Sequence, residues 1–378
     1  TGDFAFGNTE NIETITINAA TAFAEEFDID FVKVDNDTGT VNITTASTVT
    51  IAEVEVGGQL DIDLNNVRSD VNTTGVQDVD IDFDSNAAIE NVAHTVNVDA
   101  TADTVTITGA NDAGITLIMA NDAAGTQTVS VTGEDGTNDA LTISANNTVS
   151  LDLNQAVANA TLSGNTNEVT YTILQTDNAT ATDSTITLTG SKNVTISADA
   201  GELTGTNIAS TATGTTTLKV SAATGNALDG SKFAVFDNID YGFDGTGDTL
   251  TLVGGQALEL SANQSGILIV EEAGTAAAGG VLAITLDGGT DNAFTASEIN
   301  TDHFETVTIN AGNNTVTGLE VDTGDQAGND ADVTVVGTND ISFGADGTNQ
   351  SIDAAAENIT VSGKSLTFGG DVNGNDIS

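Results

Sequence analysis

The chain has 378 residues, of which 56 are Asp or Glu and only 6 are Lys or Arg, so its formal net charge is −50. This acidic excess excludes a surface made for nucleic acid or anionic lipid, and no apolar run approaches the roughly 18 residues of a membrane-spanning helix. The chain has no Cys, which excludes disulfides, thiolate metal sites and thiol nucleophiles.

Regular alternation of apolar and polar residues predicts β-strands along the chain. The apolar positions hold mostly Val, Ile and Leu, and the alternate positions hold Thr, Ser, Asn or Asp. The runs end in Gly, Asn or Asp, which are the residues that tight turns accept. In chain order, the clearest runs are residues 40–44, 103–109, 127–133, 184–190, 248–254, 305–312 and 331–337.

The strand pattern predicts an all-β fold, namely an irregular β-solenoid-like array of short strands, with β-sandwich portions as the alternative. Sandwich cores usually contain large aromatic side chains, whereas aromatic residues are only 4% of this chain. A thin core of Val, Ile, Leu and Ala is typical of stacked coils. Short helical turns are expected only at residues 19–27 and 293–299.

The domain organisation is predicted from a cluster of Phe and Tyr at residues 223–247. This cluster places a boundary between residues 1–230, a β-solenoid-like array, and residues 231–378, a second β-rich segment with turns rich in Gly and Asp. The alternative is that the aromatic cluster is a local plug within one continuous array.

One acidic run, DVDIDFD, forms a ladder of carboxylates on a single strand. Alternation places Asp78, Asp80, Asp82 and Asp84 on one face, with successive residues about 7 Å apart. Like charges at this distance destabilise the strand, and a divalent cation between them would reverse the sign of the interaction. Residues 27–31 and 60–63 repeat the pattern. A hydrated acidic strand face is the alternative interpretation.

Several turns also combine Asp, Asn and Gly in front of a strand. In DNDTG, Asp35 and Asp37 lie two residues apart before a Gly. Calcium takes about six to eight oxygen ligands from carboxylates, Asn side chains and backbone carbonyls, so such turns are candidate calcium sites. The other turns of this kind contain Asp135, Asp139, Asp244, Asp248, Asp287, Asp291, Asp325, Asp330, Asp371 and Asp376.

These turns resemble the glycine- and aspartate-rich nonapeptide calcium repeat of RTX proteins, although none is an exact tandem copy. The segments ENIETITINA (residues 10–19) and HFETVTINAG (residues 303–312) resemble strand starts of calcium-dependent bacterial S-layer proteins of the Caulobacter type. The resemblance implies Ca²⁺ as the cofactor, type I secretion, an extracellular cell-surface location and a self-assembling lattice. It also implies that the turns of residues 231–378 are RTX-like.

Catalysis has little support in the sequence. The basic residues are scattered singly, and the two histidines, His94 and His303, are more typical of structural positions than of a catalytic pair. Carboxylate pairs alone do not exclude a glycosidase. Aromatic residues, which usually line a sugar-binding cleft, are however only 4% of the chain, and no stacking platform is evident in the sequence. We therefore expect no enzyme activity. The basic residues are Lys33, Arg68, Lys192, Lys219, Lys232 and Lys364.

Together, these features predict a structural protomer of a bacterial surface layer or extracellular filament, with calcium bridging carboxylates within and between subunits. Its expected partner is a second copy of itself in a homo-oligomeric lattice or filament, with cell-surface polysaccharide as a further candidate and no nucleic acid. Two alternatives stay open. One is an elongated repeat region of a secreted adhesin, and the other is a halophilic all-β surface protein without specific calcium sites.

Overall fold

The structure is a computed structural model, and its description covers thirty segments of the chain. These are residues 2–6, 14–18, 27–31, 38–44, 49–53, 61–67, 71–74, 78–83, 94–98, 102–110, 115–119, 127–133, 140–145, 149–154, 159–164, 168–176, 185–198, 207–220, 233–242, 249–253, 255–263, 268–272, 280–289, 292–296, 298–302, 304–323, 331–344, 350–353, 358–373 and 376–378.

The regular elements whose bounds the structure describes are strands, as the alternation of the sequence predicts. The strands are β1 (Gly2–Phe6), β2 (Thr14–Asn18), β3 (Phe27–Phe31), β4 (Thr38–Thr44), β5 (Val49–Glu53), β6 (Asp61–Val67), β7 (Val71–Thr74), β8 (Asp78–Phe83), β9 (His94–Val98), β10 (Thr104–Ala110), β11 (Ile115–Met119), β12 (Gln127–Gly133), β13 (Ala140–Ala145), β14 (Val149–Asn154), β15 (Asn159–Gly164), β16 (Val169–Thr176), β17 (Thr185–Gly190), β18 (Val194–Ala198), β19 (Asn207–Ser210), β20 (Thr216–Val220), β21 (Asn238–Tyr241), β22 (Thr249–Leu252), β23 (Ala257–Leu260), β24 (Leu268–Glu272), β25 (Gly280–Leu286), β26 (Ala293–Thr295), β27 (Glu298–Asp302), β28 (Phe304–Gly312), β29 (Thr315–Asp322), β30 (Asp332–Gly337), β31 (Asp340–Phe343), β32 (Gln350–Asp353), β33 (Asn358–Ser362), β34 (Ser365–Phe368), β35 (Asp371–Asn373) and β36 (Asp376–Ile377).

The strands pair in parallel with the strand one coil further along the chain, so the fold is a β-solenoid. For example, β1 pairs with β3, β2 pairs with β4 and β3 pairs with β5. A β-sandwich is built from antiparallel strands, and the pairings between described strands are parallel. The prediction of an irregular solenoid is therefore confirmed.

The chain divides into two compact units. Unit 1 comprises Thr1–Ile196 and Glu202–Gly214, and unit 2 comprises Ser197–Gly201 and Thr215–Ser378. The boundary that the sequence predicts between residues 230 and 231 lies outside the described residues. The helical turn expected at residues 19–27 also lies outside them, except for Phe27, which begins β3. The second expected helical turn, at residues 293–299, is wrong, because β26 and β27 occupy this stretch. Stacking on neighbouring coils favours strands there, and β26 pairs with β29.

Unit 1 has two parallel sheets, which we call the odd sheet and the even sheet. The odd sheet contains the ten odd-numbered strands from β1 to β19 in chain order. The even sheet of unit 1 contains the even-numbered strands from β2 to β16, which are also paired in chain order. Each coil of unit 1 therefore contributes one strand to each sheet.

Unit 2, taken by itself, also contains two strand stacks. One stack runs in the order β20, β21, β23, β25, β28, β30, β33 and β36. The other runs in the order β22, β24, β27, β29, β31 and β34, and β26 and β32 also pair with β29. The coils are thus similar in plan but irregular in detail.

The core consists of columns of aliphatic side chains that point into the coils. In unit 1, Ile81, Ile107 and Val131 lie in register on three successive coils, and each side chain is fully buried. Burying one such side chain contributes about 1.5 to 3 kcal/mol. Because aliphatic residues occupy most of the buried positions that the structure describes, the fold is held by many small columns instead of one large aromatic core.

A buried Asn shapes the turn between β28 and β29 in unit 2. The Asn314 Nδ2 atom donates to the Leu286 carbonyl at 2.6 Å, and its Oδ1 atom accepts from the Gly288 amide at 3.2 Å. Gly312 in the same turn has a φ of 56°, a conformation that favours glycine. Its carbonyl accepts from the Thr338 amide at 2.8 Å in the next coil. Gly312, which ends one of the predicted strands, therefore marks a turn that is hydrogen-bonded to the next coil.

Candidate functional site

The first candidate site is an acidic patch on the even sheet of unit 1. The register pairs Asp61 with Asp78 and Asp63 with Asp80 on the adjacent strands β6 and β8. Paired positions on neighbouring strands are about 4.8 Å apart, which is closer than the spacing of about 7 Å along one strand. The ladder that the sequence predicts on one strand is therefore one row of a two-dimensional arrangement of acidic residues.

The limits of this acidic patch follow from the same register. On one side, Asp78 and Asp80 pair with Thr104 and Thr106 of β10. On the other side, Asp61 and Asp63 pair with Thr38 and Thr40 of β4. We therefore define the acidic patch as Asp61, Asp63, Asp78, Asp80 and Asp82. The Asp80 side chain is exposed, so the patch is open to solvent at its centre.

A second group of acidic residues lies on the stack of unit 2 that contains β24, β27 and β29. Glu298 pairs with Glu320, and Asn300 pairs with Asp322, which in turn pairs with Asp353. The Asn300 Nδ2 atom donates to Asp322 Oδ2 at 3.5 Å, while the Asn300 Oδ1 atom is buried without a hydrogen-bond partner. Acidic residues that are far apart in the sequence are thus neighbours across the coils.

The third candidate site lies in unit 2 and combines a lysine side chain with neighbouring carboxylates. The Lys219 Nζ atom lies 3.0 Å from Asp240 Oδ2, and the Ser261 hydroxyl donates to Asp240 Oδ1 at 2.5 Å. Glu259 follows Asp240 in the register on the next strand. Partial burial and the charges of Asp240 and Asp287 raise the pKa of Glu259, and Lys219 opposes this effect. The lysine offsets part of the carboxylate repulsion at this site.

The structure describes six of the sixteen residues predicted as calcium ligands. Asp78, Asp80 and Asp82 share β8, as the ladder predicts. Asp287 follows β25, and its Oδ1 atom accepts from the Gly289 amide at 2.9 Å in a local turn. The two C-terminal residues, Asp371 and Asp376, begin β35 and β36. The other ten lie outside the described residues: Asp35, Asp37, Asp84, Asp135, Asp139, Asp244, Asp248, Asp291, Asp325 and Asp330.

Sequence reasoning missed the neighbour relations between strands. Residues 60–63 drew attention as an acidic run, but nothing in the sequence pairs Asp61 with Asp78 or Asp63 with Asp80. The signal that could have found these pairs is the coil repeat. Coil lengths vary, however: side chains that bond between adjacent coils are 25 residues apart for Asn72 and Asn97 and 21 residues apart for Asp240 and Ser261.

Metal ligation was a prediction of the sequence, and the described residues show how far such ligands are brought together. Within the described segments, no group of three or more His, Cys, Asp or Glu side chains is positioned to hold a metal ion. His94 is 3% exposed and lies on the inner side of β9, which agrees with the structural position that the sequence favours. The register of the acidic patch nevertheless brings acidic residues to neighbouring positions on β6 and β8.

None of the described segments contains a helix that is long and apolar enough to cross a membrane. Comparison of the chain with protein-family models, with curated proteins and with solved structures finds no match. The fold and the acidic patch are accordingly the observations on which a functional proposal can rest.

Proposed function

We propose that this chain is a structural, self-assembling protomer of an extracellular surface layer or filament, and that calcium bridges its carboxylates within and between subunits. The observation that carries the proposal is the register of β6 and β8, which pairs Asp61 with Asp78 and Asp63 with Asp80. A parallel solenoid supports the proposal because its repeated coils suit surface proteins built from repeats.

Acidic residues at paired positions of the acidic patch repel each other. Two like charges about 5 Å apart repel by on the order of 1 to 3 kcal/mol, depending on their exposure to water. A divalent cation bound between such carboxylates replaces this repulsion with attraction, and carboxylate oxygens are the ligands that Ca²⁺ prefers. Cation binding would then stabilise the folded coils, because the unfolded chain does not hold these residues together.

The contrast with the Lys219 site in unit 2 supports the same mechanism. There, the Lys219 ammonium lies 3.0 Å from Asp240 Oδ2 and partly offsets the neighbouring carboxylates. The chain has only 6 Lys or Arg for 56 Asp or Glu, so lysines can do this at few places. A dissolved divalent cation is the simplest remaining source of positive charge.

Calcium binding to the patch is tested by isothermal titration calorimetry of wild type and of the double variant Asp63→Asn/Asp80→Asn. The matched control is Asp152→Asn, because Asp152 lies on the same sheet but pairs with the uncharged Ser130 and Gln175. We expect the double variant to lose at least one calcium equivalent while the control retains it. Equal binding by all three proteins contradicts a calcium site at the acidic patch.

The alternatives predict different behaviour of the purified protein. The repeat region of a secreted adhesin binds calcium and stays monomeric at all concentrations. A halophilic surface protein reaches full stability in monovalent salt and gains nothing from added calcium. Light scattering and thermal unfolding, each with sodium alone and with sodium plus calcium, separate these outcomes from calcium-dependent assembly.

A further inference from the structure

The odd sheet of unit 1 contains a broad stretch without charged residues. Its strands β7, β9, β11, β13, β15, β17 and β19 are consecutive in the sheet and contain no Asp, Glu, Lys or Arg. Charged residues are 16% of the chain, and the first strands of the same sheet carry Asp3, Asp28, Asp30 and Glu53. We call the outward side of these seven strands the uncharged face.

A regular column of threonines runs across the uncharged face. Thr95, Thr116, Thr142, Thr161 and Thr187 lie in register on five successive strands. Each of these threonines is partly exposed, and neighbours in the column are about 4.8 Å apart. Threonine presents a methyl and a hydroxyl group without charge, so the column provides short uncharged side chains that another protein surface can approach closely.

An exposed isoleucine lies beside this column. Ile118 on β11 pairs with Asn97 and Ser144, and its side chain is 42% exposed. Among the described residues, it is one of four large apolar side chains with this degree of exposure; the others are Val281, Leu366 and Phe368. Ile118 therefore adds apolar surface to the uncharged strands, and burying that surface on association would contribute favourable free energy.

We propose that the uncharged face is a lateral contact between two copies of this chain. The inference rests on the proposed self-assembly but not on the calcium mechanism. A chain with a net charge of −50 meets strong repulsion when acidic surfaces approach each other. The uncharged face is free of this repulsion on both copies. The contact would be isologous, with the same face used by both partners.

The area of the uncharged face indicates how strong a contact through it can be. Seven strands at about 4.8 Å spacing, each with about five residues at about 3.3 Å, cover on the order of 500 Å². A stable pairwise interface buries about 800 Å² on each partner. A single contact through this face is therefore weak, and it becomes effective in a lattice or filament where many contacts act together.

The test compares the variant Ile118→Glu with the matched control Val281→Glu. Val281 is also an exposed aliphatic residue, at 52%, but it lies on β25 of unit 2 and not on the uncharged face. Sedimentation velocity over a range of concentrations measures self-association of the full chain in calcium. We expect Ile118→Glu to raise the dissociation constant at least tenfold, and Ile118→Val and Val281→Glu to change it less than twofold.

Further measurements distinguish loss of the contact from misfolding of a variant and from loss of calcium binding. Circular dichroism checks that each variant is folded, and Thr142→Glu provides a second disruption of the same face with the same expected loss. The inference is overturned if wild type is monomeric, if both face variants associate like wild type, or if Val281→Glu weakens association equally. Association that depends on Ile118 but survives a calcium chelator supports the contact and contradicts the calcium proposal.

Discussion

Lys219 and Asp240 form an ion pair between adjacent coils of unit 2, with the Lys219 Nζ atom 3.0 Å from Asp240 Oδ2. Glu259 occupies the next position in the same column. The pair is partly exposed, so its own contribution to stability is small. Its importance lies in the charge balance of the neighbouring carboxylates, because Lys219 opposes the rise in the pKa of Glu259 that burial, Asp240 and Asp287 cause.

The variant Lys219→Met should raise the pKa of Glu259 further above its ordinary value of 4.5. A carboxyl whose folded-state pKa is raised stabilises the fold below its unfolded pKa, and this contribution is lost as pH rises through the folded pKa. The variant should therefore lose stability more steeply on the alkaline side of pH 4.5. Carboxyl-carbon NMR titration measures the pKa directly.

The matched control for this prediction is Lys364→Met. Lys364 is paired with Asp340 at 3.9 Å, and both side chains are largely exposed. The titration of Glu259 should be unchanged in this control. A pKa of Glu259 that stays the same or falls in Lys219→Met would show that Lys219 does not balance these carboxylates.

The fold could be predicted from the sequence because a strand has a short and regular period. Alternation places Ile107 inward and Thr106 outward whatever the length of the coil. The neighbours of a residue on the next coil depend instead on coil length, which varies. Bonds between coils join Asn339 to Asn313 over 26 residues and Ser261 to Asp240 over 21 residues. The pairing of Asp63 with Asp80 and the column from Thr95 to Thr187 were therefore beyond sequence reasoning.

Replacing a core residue should show how much one aliphatic column contributes. Ile107→Ala removes a fully buried side chain between Ile81 and Val131, and we expect the free energy of unfolding to fall by about 2 to 5 kcal/mol. The neighbouring outward substitution, Thr106→Ala, should change it by less than about 0.5 kcal/mol. Urea unfolding measures both values, and equal losses would contradict the placement of the core.

The turn residue Asn314 should matter more than its neighbour Asn313. Asn314→Ala leaves the Leu286 carbonyl and the Gly288 amide without the hydrogen bonds that Asn314 makes, and we expect a loss of about 1 to 3 kcal/mol. Asn313 is exposed, so Asn313→Ala should leave the free energy of unfolding almost unchanged. If thermal unfolding shows the reverse order, the stacked turn does not stabilise the coils as described.

Calcium should stabilise the fold through the acidic patch. We expect calcium to raise the melting temperature of wild type and of Asp152→Asn, and to raise it less in Asp63→Asn/Asp80→Asn, because the double variant lacks one of the two acidic pairs between β6 and β8. Without calcium, the double variant should be at least as stable as wild type, since a like-charge pair is removed. Differential scanning calorimetry in calcium and in chelator measures both effects. The same shift in all three proteins would place the relevant calcium elsewhere.

The central claim is that calcium bridging drives assembly, and electron microscopy tests it most directly. The full chain is imaged in calcium, after addition of a calcium-selective chelator with magnesium held constant, and after calcium is restored. The account predicts ordered layers or filaments that dissolve in the chelator and form again with calcium. Ordered assemblies that persist in the chelator, or a protein that stays dispersed in calcium, would contradict it.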